Sequence, residues 1–315
     1  MLVTGGCGFI GTHVVRHLAS AGYQVTVFDD LSNGDQGRIA PEVSRGVRVI
    51  VGDVTDRAAV ASAMGIARPW GVIHLAAPVS VAESKQNPDK YFRAIVDGMY
   101  QVVTEARSCG VSRIVNLNSA AVYGRASIVP TPETHPASPT NPYGVAKHVA
   151  EQLILHTCRM YGIGCVSLRL TNLYGEYASA LFGLFVRQMR AGEPLTVTGD
   201  GSQRRDFTYV GDVAITIEAA LSADLDFEIL NVGTGETISV LEMAQLFGAP
   251  ITFIPRAADE PDVIQGSVDR LGALLPGAVP RSRPQERIPE VLGRICKKPS
   301  SHDAEDQRVS WKVRE

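Results

Sequence analysis

"LVTGGCGFIGTHVVRHLASAGYQVTVFDD", residues 2–30, decides the fold. Leu2 and Val3 are apolar and suit a strand. Gly5, Gly8 and Gly11 then recur at every third position. Ile10, Val14, Val15 and Leu18 repeat at helical spacing, and Gly22 ends that helix. "YQVTVF" reads as a second buried strand, closed by Asp29 and Asp30. The glycines permit a tight turn, let the backbone approach a pyrophosphate, and let the helix pack closely on the strand. The helix N-terminus offers free N–H groups to the phosphates. Asp29 lies 18 residues beyond Gly11, where an acid can accept from adenosine ribose hydroxyls. Its charge repels a 2′-phosphate, so the stretch predicts NAD rather than NADP. Three glycines alone would fit any α/β turn; the flanking strands and the acid carry the inference.

The alternation continues outward from this unit. "VRVIVGDVTD" predicts a strand ending at Asp53, a candidate for the adenine edge. "WGVIHLAA", "SRIVNLNSAAVYG" and "GCVSLRLTNLYG" predict three more strands, with helical spacing between them. Buried strands alternating with helices imply an α/β fold with a doubly wound parallel sheet, a Rossmann arrangement that binds ligands at the carboxyl ends of its strands. Gly5 to Gly11, Ala76 to Pro78, Ser119 and Asn172 fall at those ends.

Composition narrows the class. The chain has 315 residues, 45% of them hydrophobic and 20% charged, with a formal net charge of −3. That balance gives no electrostatic case for nucleic acid or an anionic membrane. No apolar run reaches the length of a membrane span. "MLVTGGCGFIG" has neither the basic nor the uninterrupted apolar region of a signal peptide. Five scattered cysteines form neither a disulfide framework nor a metal pattern, so reduced thiols in the cytoplasm are expected. His13 and His17 share a helix face, but no neighbouring acid in the sequence completes a metal site.

"NPYGVAKHVAEQ", residues 141–152, places Tyr143 and Lys147 four apart. If a helix begins near Asn141, both project from one face. A tyrosine ionises near pH 10, and a nearby ammonium favours the phenolate. A drop of about three units takes roughly 4 kcal/mol of differential stabilisation. Taken alone, the pair fits a tuned acid/base and an ordinary helix surface equally well.

The chain resembles the extended short-chain dehydrogenases/reductases of the nucleotide-sugar epimerase/dehydratase group, in their UDP-glucose 4-epimerase-like branch. "VTGGCGFIG", "FDDLSNG", "GDVTD", "HLAAPVSV", "NSAAVYG", "PYGVAK", "RLTNLYG" and "GDGSQRRDFTYVGDVA" carry the likeness, in family order, over roughly residues 1–235. The resemblance implies that Ser119, Tyr143 and Lys147 are the catalytic group. Tyr143 would take the proton of a sugar hydroxyl, Lys147 would hold it ionised, and Ser119 would bond the reacting oxygen. It implies NAD contacts at Gly5, Gly8, Phe9, Ile10, Gly11, Asp29, Asp30, Asn33, Asp53, Val54, Leu75, Ala76 and Ala77, besides Tyr143 and Lys147. Residues 1–171 would form the NAD-binding domain, with 207–235 returning to it. Residues 172–292 would form an interleaved substrate lobe, and 293–315 a polar tail. Asn172, Arg205 and Arg256 match positions that bind the nucleotide-sugar pyrophosphate, where the Arg fork suits phosphate oxygens. Asp206 and Asp212 are expected to fix a loop and cap a helix. Relatives pair through the helices near 93–108 and 145–160, which implies a homodimer.

The pattern breaks in two places. "IVDGM" puts Ile95 and Met99 where the family carries an asparagine and a threonine, so a buried amide is lost. Glu176 replaces a proline after "NLYG". The leading expectation is an NAD-dependent nucleotide-sugar 4-epimerase. The alternatives are a dehydratase, decarboxylase or ketoreductase of the same family, or a catalytically silent NAD-binding protein.

Overall fold

The computed structural model describes residues 1–256 and 260–297. Six strands follow the expected alternation: β1 (Leu2–Thr4), β2 (Thr26–Asp29), β3 (Arg48–Val51), β4 (Gly71–His74), β5 (Arg113–Ser119) and β6 (Gly164–Leu170). They join a return strand, Glu228–Val232, in one seven-stranded sheet ordered β3-β2-β1-β4-β5-β6-return. Every pairing in it is parallel. The chain runs outward from β1 to β3, then crosses to β4 on the other side of β1. That reversal opens a crevice at the carboxyl ends of β1 and β4, the usual ligand site of such sheets.

Helices cover both faces, so the central strands are buried along their length, and the polar residues they carry, such as Asn118 of β5 and Arg169 of β6, are buried with them. All seven residues of β6 are buried. One face packs Val14, Val15 and Leu18 of the helix Phe9–Ser20 against Val213, Ile217 and Leu221 of the helix Val210–Ser222. The other packs Met64, Val102, Val103, Ile154 and Leu155. A third apolar cluster lies in the later part of the chain, around Phe182, Phe185, Leu195, Val197, Phe247 and Ile288.

Several stretches are divided more finely than the sequence predicts. "SRIVNLNSAAVYG" stops being strand at Ser119. There the Ser119 hydroxyl accepts from the Ala121 N–H and opens a 3₁₀ turn, Ala120–Tyr123. "GCVSLRLTNLYG" splits, and Asn172–Tyr174 leaves the main sheet to pair with Phe207–Tyr209. The helix Pro284–Lys297 runs into the stretch expected to be tail. Residues 298–315, the rest of that stretch, lie outside the described residues. Among the described residues, no helix is long and apolar enough to cross a membrane.

Candidate active site

The glycine turn is shaped by contacts that side chains would block. The Gly5 N–H donates to the Phe28 carbonyl at 2.8 Å, and its φ of +69° is left-handed. A Cβ on Gly11 would lie 2.1 Å from the Gly5 carbonyl oxygen. Gly8 is the N-cap of Phe9–Ser20 and brings no side chain to cap it. Phe9, Ile10 and Gly11 form the first turn. This is a bare helix N-terminus beneath a backbone cradle, and it fits a pyrophosphate. Leu75, Ala76 and Ala77 follow β4 across the crevice. A Cβ on Gly5 would touch the Ala76 nitrogen at 2.8 Å, so the two backbones meet there.

Asp29 ends β2 and is buried. One oxygen accepts from the Cys7 N–H at 2.8 Å and the other from the Leu31 N–H at 2.9 Å. Burial pushes its pKa up, and those two N–H groups pull against the shift. Asp30 and Asn33 are exposed on the loop beyond. Asp53 is exposed after β3 and accepts from the Thr55 N–H. Val54 is buried, packed where Gly98 leaves room.

The catalytic candidates converge from two elements. Asn141 caps the helix Pro142–Tyr161 by accepting from the Gly144 N–H at 2.9 Å, and Pro142 stands in its first turn. Tyr143 and Lys147 thus lie one turn apart beside the end of β5. Tyr143 hydrogen-bonds Ser119, and the Tyr91 ring meets it edge-on at 6.2 Å. The Lys147 ammonium donates to the Leu117 carbonyl at 2.8 Å.

The chain by itself does not supply the tuning expected of Tyr143. In the chain alone, burial pushes the Tyr143 hydroxyl up, and only the Ser119 bond opposes it. Lys147 is itself pushed down to about 8 by burial, with Glu151 opposing. Ile95 and Met99 pack in the same apolar cluster as Tyr143. Both positions are filled with apolar side chains inside that cluster.

On the substrate side, Asn172 lies beside Arg205 and Asp206, its N–H donating to the Asp206 carbonyl. Arg205 is buried and donates to Glu260 at 3.0 Å and to the carbonyls of Arg204 and Asp262. Arg256 donates to Asp262 at 2.7 Å and to the Glu260 carbonyl. Arg205 thus meets the Glu260 carboxylate and Arg256 the Asp262 carboxylate, with Glu260 also 3.7 Å from Arg256; the Arg205 pairing spans 55 positions and no local sequence signal picks it out. Asp206 fixes a loop by accepting from Thr208, Thr234 and Gly235. Asp212, in the first turn of its helix, holds Arg281 and Ser282 instead. His17 meets Glu218, 201 positions away and so invisible to local reading. Sequence reasoning also misses Glu151, although it follows Lys147 by the same four-residue step that marks Tyr143 and Lys147.

Residues 1–233 match the NAD dependent epimerase/dehydratase family. The UDP-glucose 4-epimerase of Mus musculus is 34% identical over 278 residues, covering 78% of this chain and 80% of the mouse protein. The structure of UDP-glucose 4-epimerase from Thermotoga maritima, with UDP-glucose, superposes with a TM-score of 0.86 at 29% identity. The match covers 94% of this chain and 98% of that one. The Thermus thermophilus UDP-glucose 4-epimerase in complex with NAD gives a TM-score of 0.86 at 30% identity, with the same coverage of 94% and 98%. Alike to these in sequence and in shape over most of its length, the chain belongs to the NAD-dependent epimerase/dehydratase family and takes NAD as its cofactor.

Proposed function

We propose that the protein is a nucleotide-sugar 4-epimerase acting on a UDP-hexose, as a homodimer. The observation that carries this is Ser119, Tyr143 and Lys147 gathered at the carboxyl end of β5, in the same parallel sheet as the glycine turn after β1. Residues 1–171 and 207–235 would hold the cofactor; 172–206 and 236–292 would hold the sugar nucleotide. NAD supplies a hydride acceptor that later gives the hydride back. Tyr143 takes the proton of the sugar C4 hydroxyl as C4 loses its hydride, leaving a C4 ketone. Ser119 bonds that oxygen throughout. Lys147, one turn along the helix, together with the positive nicotinamide ring of bound NAD would favour the Tyr143 phenolate that burial alone opposes. After the sugar turns over, C4 regains the hydride on its opposite face and Tyr143 returns the proton. Arg205, Arg256 and Asn172 would hold the pyrophosphate, whose oxygens would replace the carboxylates of Glu260 and Asp262 on the two arginines.

A dehydratase is the nearest alternative, and the residues after Ser119 weigh against it. Removing water across C5 and C6 needs two further proton-transfer groups beside the sugar. Ala120 and Ala121 follow Ser119 directly and can move no proton. The test is proton NMR of UDP-glucose, UDP-galactose and UDP-glucuronate with the NAD-loaded protein. Interconversion at C4 with C6 unchanged is expected. A 6-deoxy-4-keto product would overturn the proposal in favour of dehydration, and a pentose product in favour of decarboxylation. Tyr143→Phe should cut turnover roughly 10²–10⁴-fold while NAD still binds.

A further inference from the structure

Behind Ser119 and Lys147 runs a buried polar chain that the proposed reaction does not use. Glu151 is wholly buried one helical turn past Lys147. Arg169 of β6 donates to both of its oxygens, through Nε at 3.2 Å to each and through Nη2. The same carboxylate accepts from Asn118 Nδ2 at 2.6 Å and from Ser167 Oγ at 2.8 Å. Asn118 in turn accepts, through Oδ1, from the Ser119 N–H at 2.8 Å. Beyond, Arg169 lies 4.8 Å over the ring of Tyr123, whose hydroxyl donates to Asn231 of the return strand at 2.7 Å.

A buried ion pair gains little over well-packed hydrocarbon of the same volume. Neighbouring positions on this helix, Ile154 and Leu155, are filled with such hydrocarbon. A purely structural contact between helix and sheet would need no charge. We propose that Glu151 is a positioning residue: through Arg169 and Asn118 it fixes the end of β5 at Ser119, and its charge keeps Lys147 protonated. The inference rests on the assignment of Lys147 as the cation beside the base.

Among the described residues, Glu151 of its own helix and His74 of β4 interact with the Lys147 charge. Tyr143 lies one turn before it, and Arg169 of β6 is bound to Glu151. Tyr91 lies beyond Tyr143, pushed up to about 12 by burial and by its bond to Glu83, while Glu83 is taken up by Tyr91 and Lys90. His74 shares a 2.8 Å hydrogen bond with Thr4 and is held neutral down to about 3 by burial and by Lys147 itself. Among the described residues, Glu151 is the anion that supports the Lys147 charge.

The test titrates isotope-labelled lysine side chains by NMR in the full chain. There are only six lysines, and Lys147→Arg identifies the resonance. Glu151→Gln keeps an acceptor oxygen for Asn118 and Ser167 but removes the charge. The Lys147 midpoint should then fall by about one pH unit, a tenfold weaker hold on its proton. Glu151→Asp, which keeps the charge, should stay close to the parent. Should Glu151→Gln fail to fold, the charge-free pair Glu151→Gln with Arg169→Gln should also lower the midpoint, by less. A midpoint that does not move in the folded variants overturns the proposal, because a structural glutamate would change only the melting temperature. Epimerisation of UDP-glucose is followed on the same proteins. The alkaline limb of kcat should move down with the lysine midpoint while KM holds. A limb that stays put while the lysine moves would also overturn the proposal. A parent protein that turns over no UDP-hexose would count against the epimerase assignment alone, and the lysine titration would still decide the role of Glu151.

Discussion

Asp29 shows how one side chain serves both the fold and a preference. It is tied to the glycine turn through Cys7 and to the following loop through Leu31. A second negative group, the 2′-phosphate of NADP, would meet it in a buried setting where repulsion is strong. Asp29→Ala should therefore narrow the preference for NAD over NADP, measured by calorimetry. Tighter binding of NADP by the parent protein would contradict this. Lys147 carries a prediction about pH. Its folded pKa of about 8 lies below the ordinary 10.5. Between those values the unfolded chain binds more protons than the folded one, so unfolding free energy rises with pH through that window. Lys147→Met removes the buried charge. The variant should gain its full stability advantage from this group below the folded pKa and lose it as pH climbs towards the ordinary value. Urea unfolding near neutral pH and near about pH 10 checks this; a gap that widens with pH would contradict it. Asp29, Tyr143 and Lys147 are legible in the sequence because each sits at a fixed step from a turn or a helix start. The direction of the Tyr143 shift is not. It depends on how deeply the hydroxyl is buried and on where the Lys147 ammonium is anchored, and spacing gives neither.

At the scale of elements, the unit β1, glycine turn, helix, β2 is readable because its parts are consecutive in the chain and the glycines, the apolar spacing and the closing acid fall at fixed steps. Gly11 is its tightest point. A methyl group there has no space, since its atom would fall inside the Gly5 carbonyl. Backbone cannot swing aside as a side chain can, so Gly11→Ala should push the helix start away from β1. The expected outcome is NAD binding weakened at least tenfold together with a lower melting temperature. Unchanged NAD affinity in a folded Gly11→Ala protein would show that the cradle tolerates what its geometry forbids. Strand existence follows from apolar runs that alternate with helical spacing. Strand ends do not, because they depend on hydrogen bonds such as Ser119 to Ala121, which turn the chain while the sequence remains apolar. The pairings of Arg205 and Arg256 with Glu260 and Asp262 stay hidden for another reason. Arg205 and Glu260 join a strand to a loop 55 positions away, a separation over which no sequence spacing fixes contact. Even the local pair, Arg256 and Glu260, takes its meaning from that distant partner.

At the scale of the whole molecule, one outer face suits a second copy of the chain. The helices Gly98–Ser108 and Pro142–Tyr161 bury their inner sides together. Their outer sides remain apolar in places: Tyr100 is 48% exposed, Val149 40% and Met160 80%. Val149, Leu153 and Met160 share one stripe of the longer helix at helical spacing. Beside them lies a cavity of about 440 Å³, lined by Thr55, Arg93, Val96, Asp97, Tyr100, Gln101 and Leu153. A second copy placed across a two-fold axis would lay the same helices against these, so each stripe would meet its own counterpart. An interface of ordinary size, roughly 800 Å² per partner, is within reach of two helices of this length. The protein should therefore run as a dimer in light scattering at micromolar concentration. Tyr100→Glu combined with Leu153→Glu buries two like-charged pairs at such an interface and should give a monomer that keeps its fold by circular dichroism. A parent protein that is already monomeric would remove the homodimer. So would a double variant that remains dimeric, because the contact would then lie on another face.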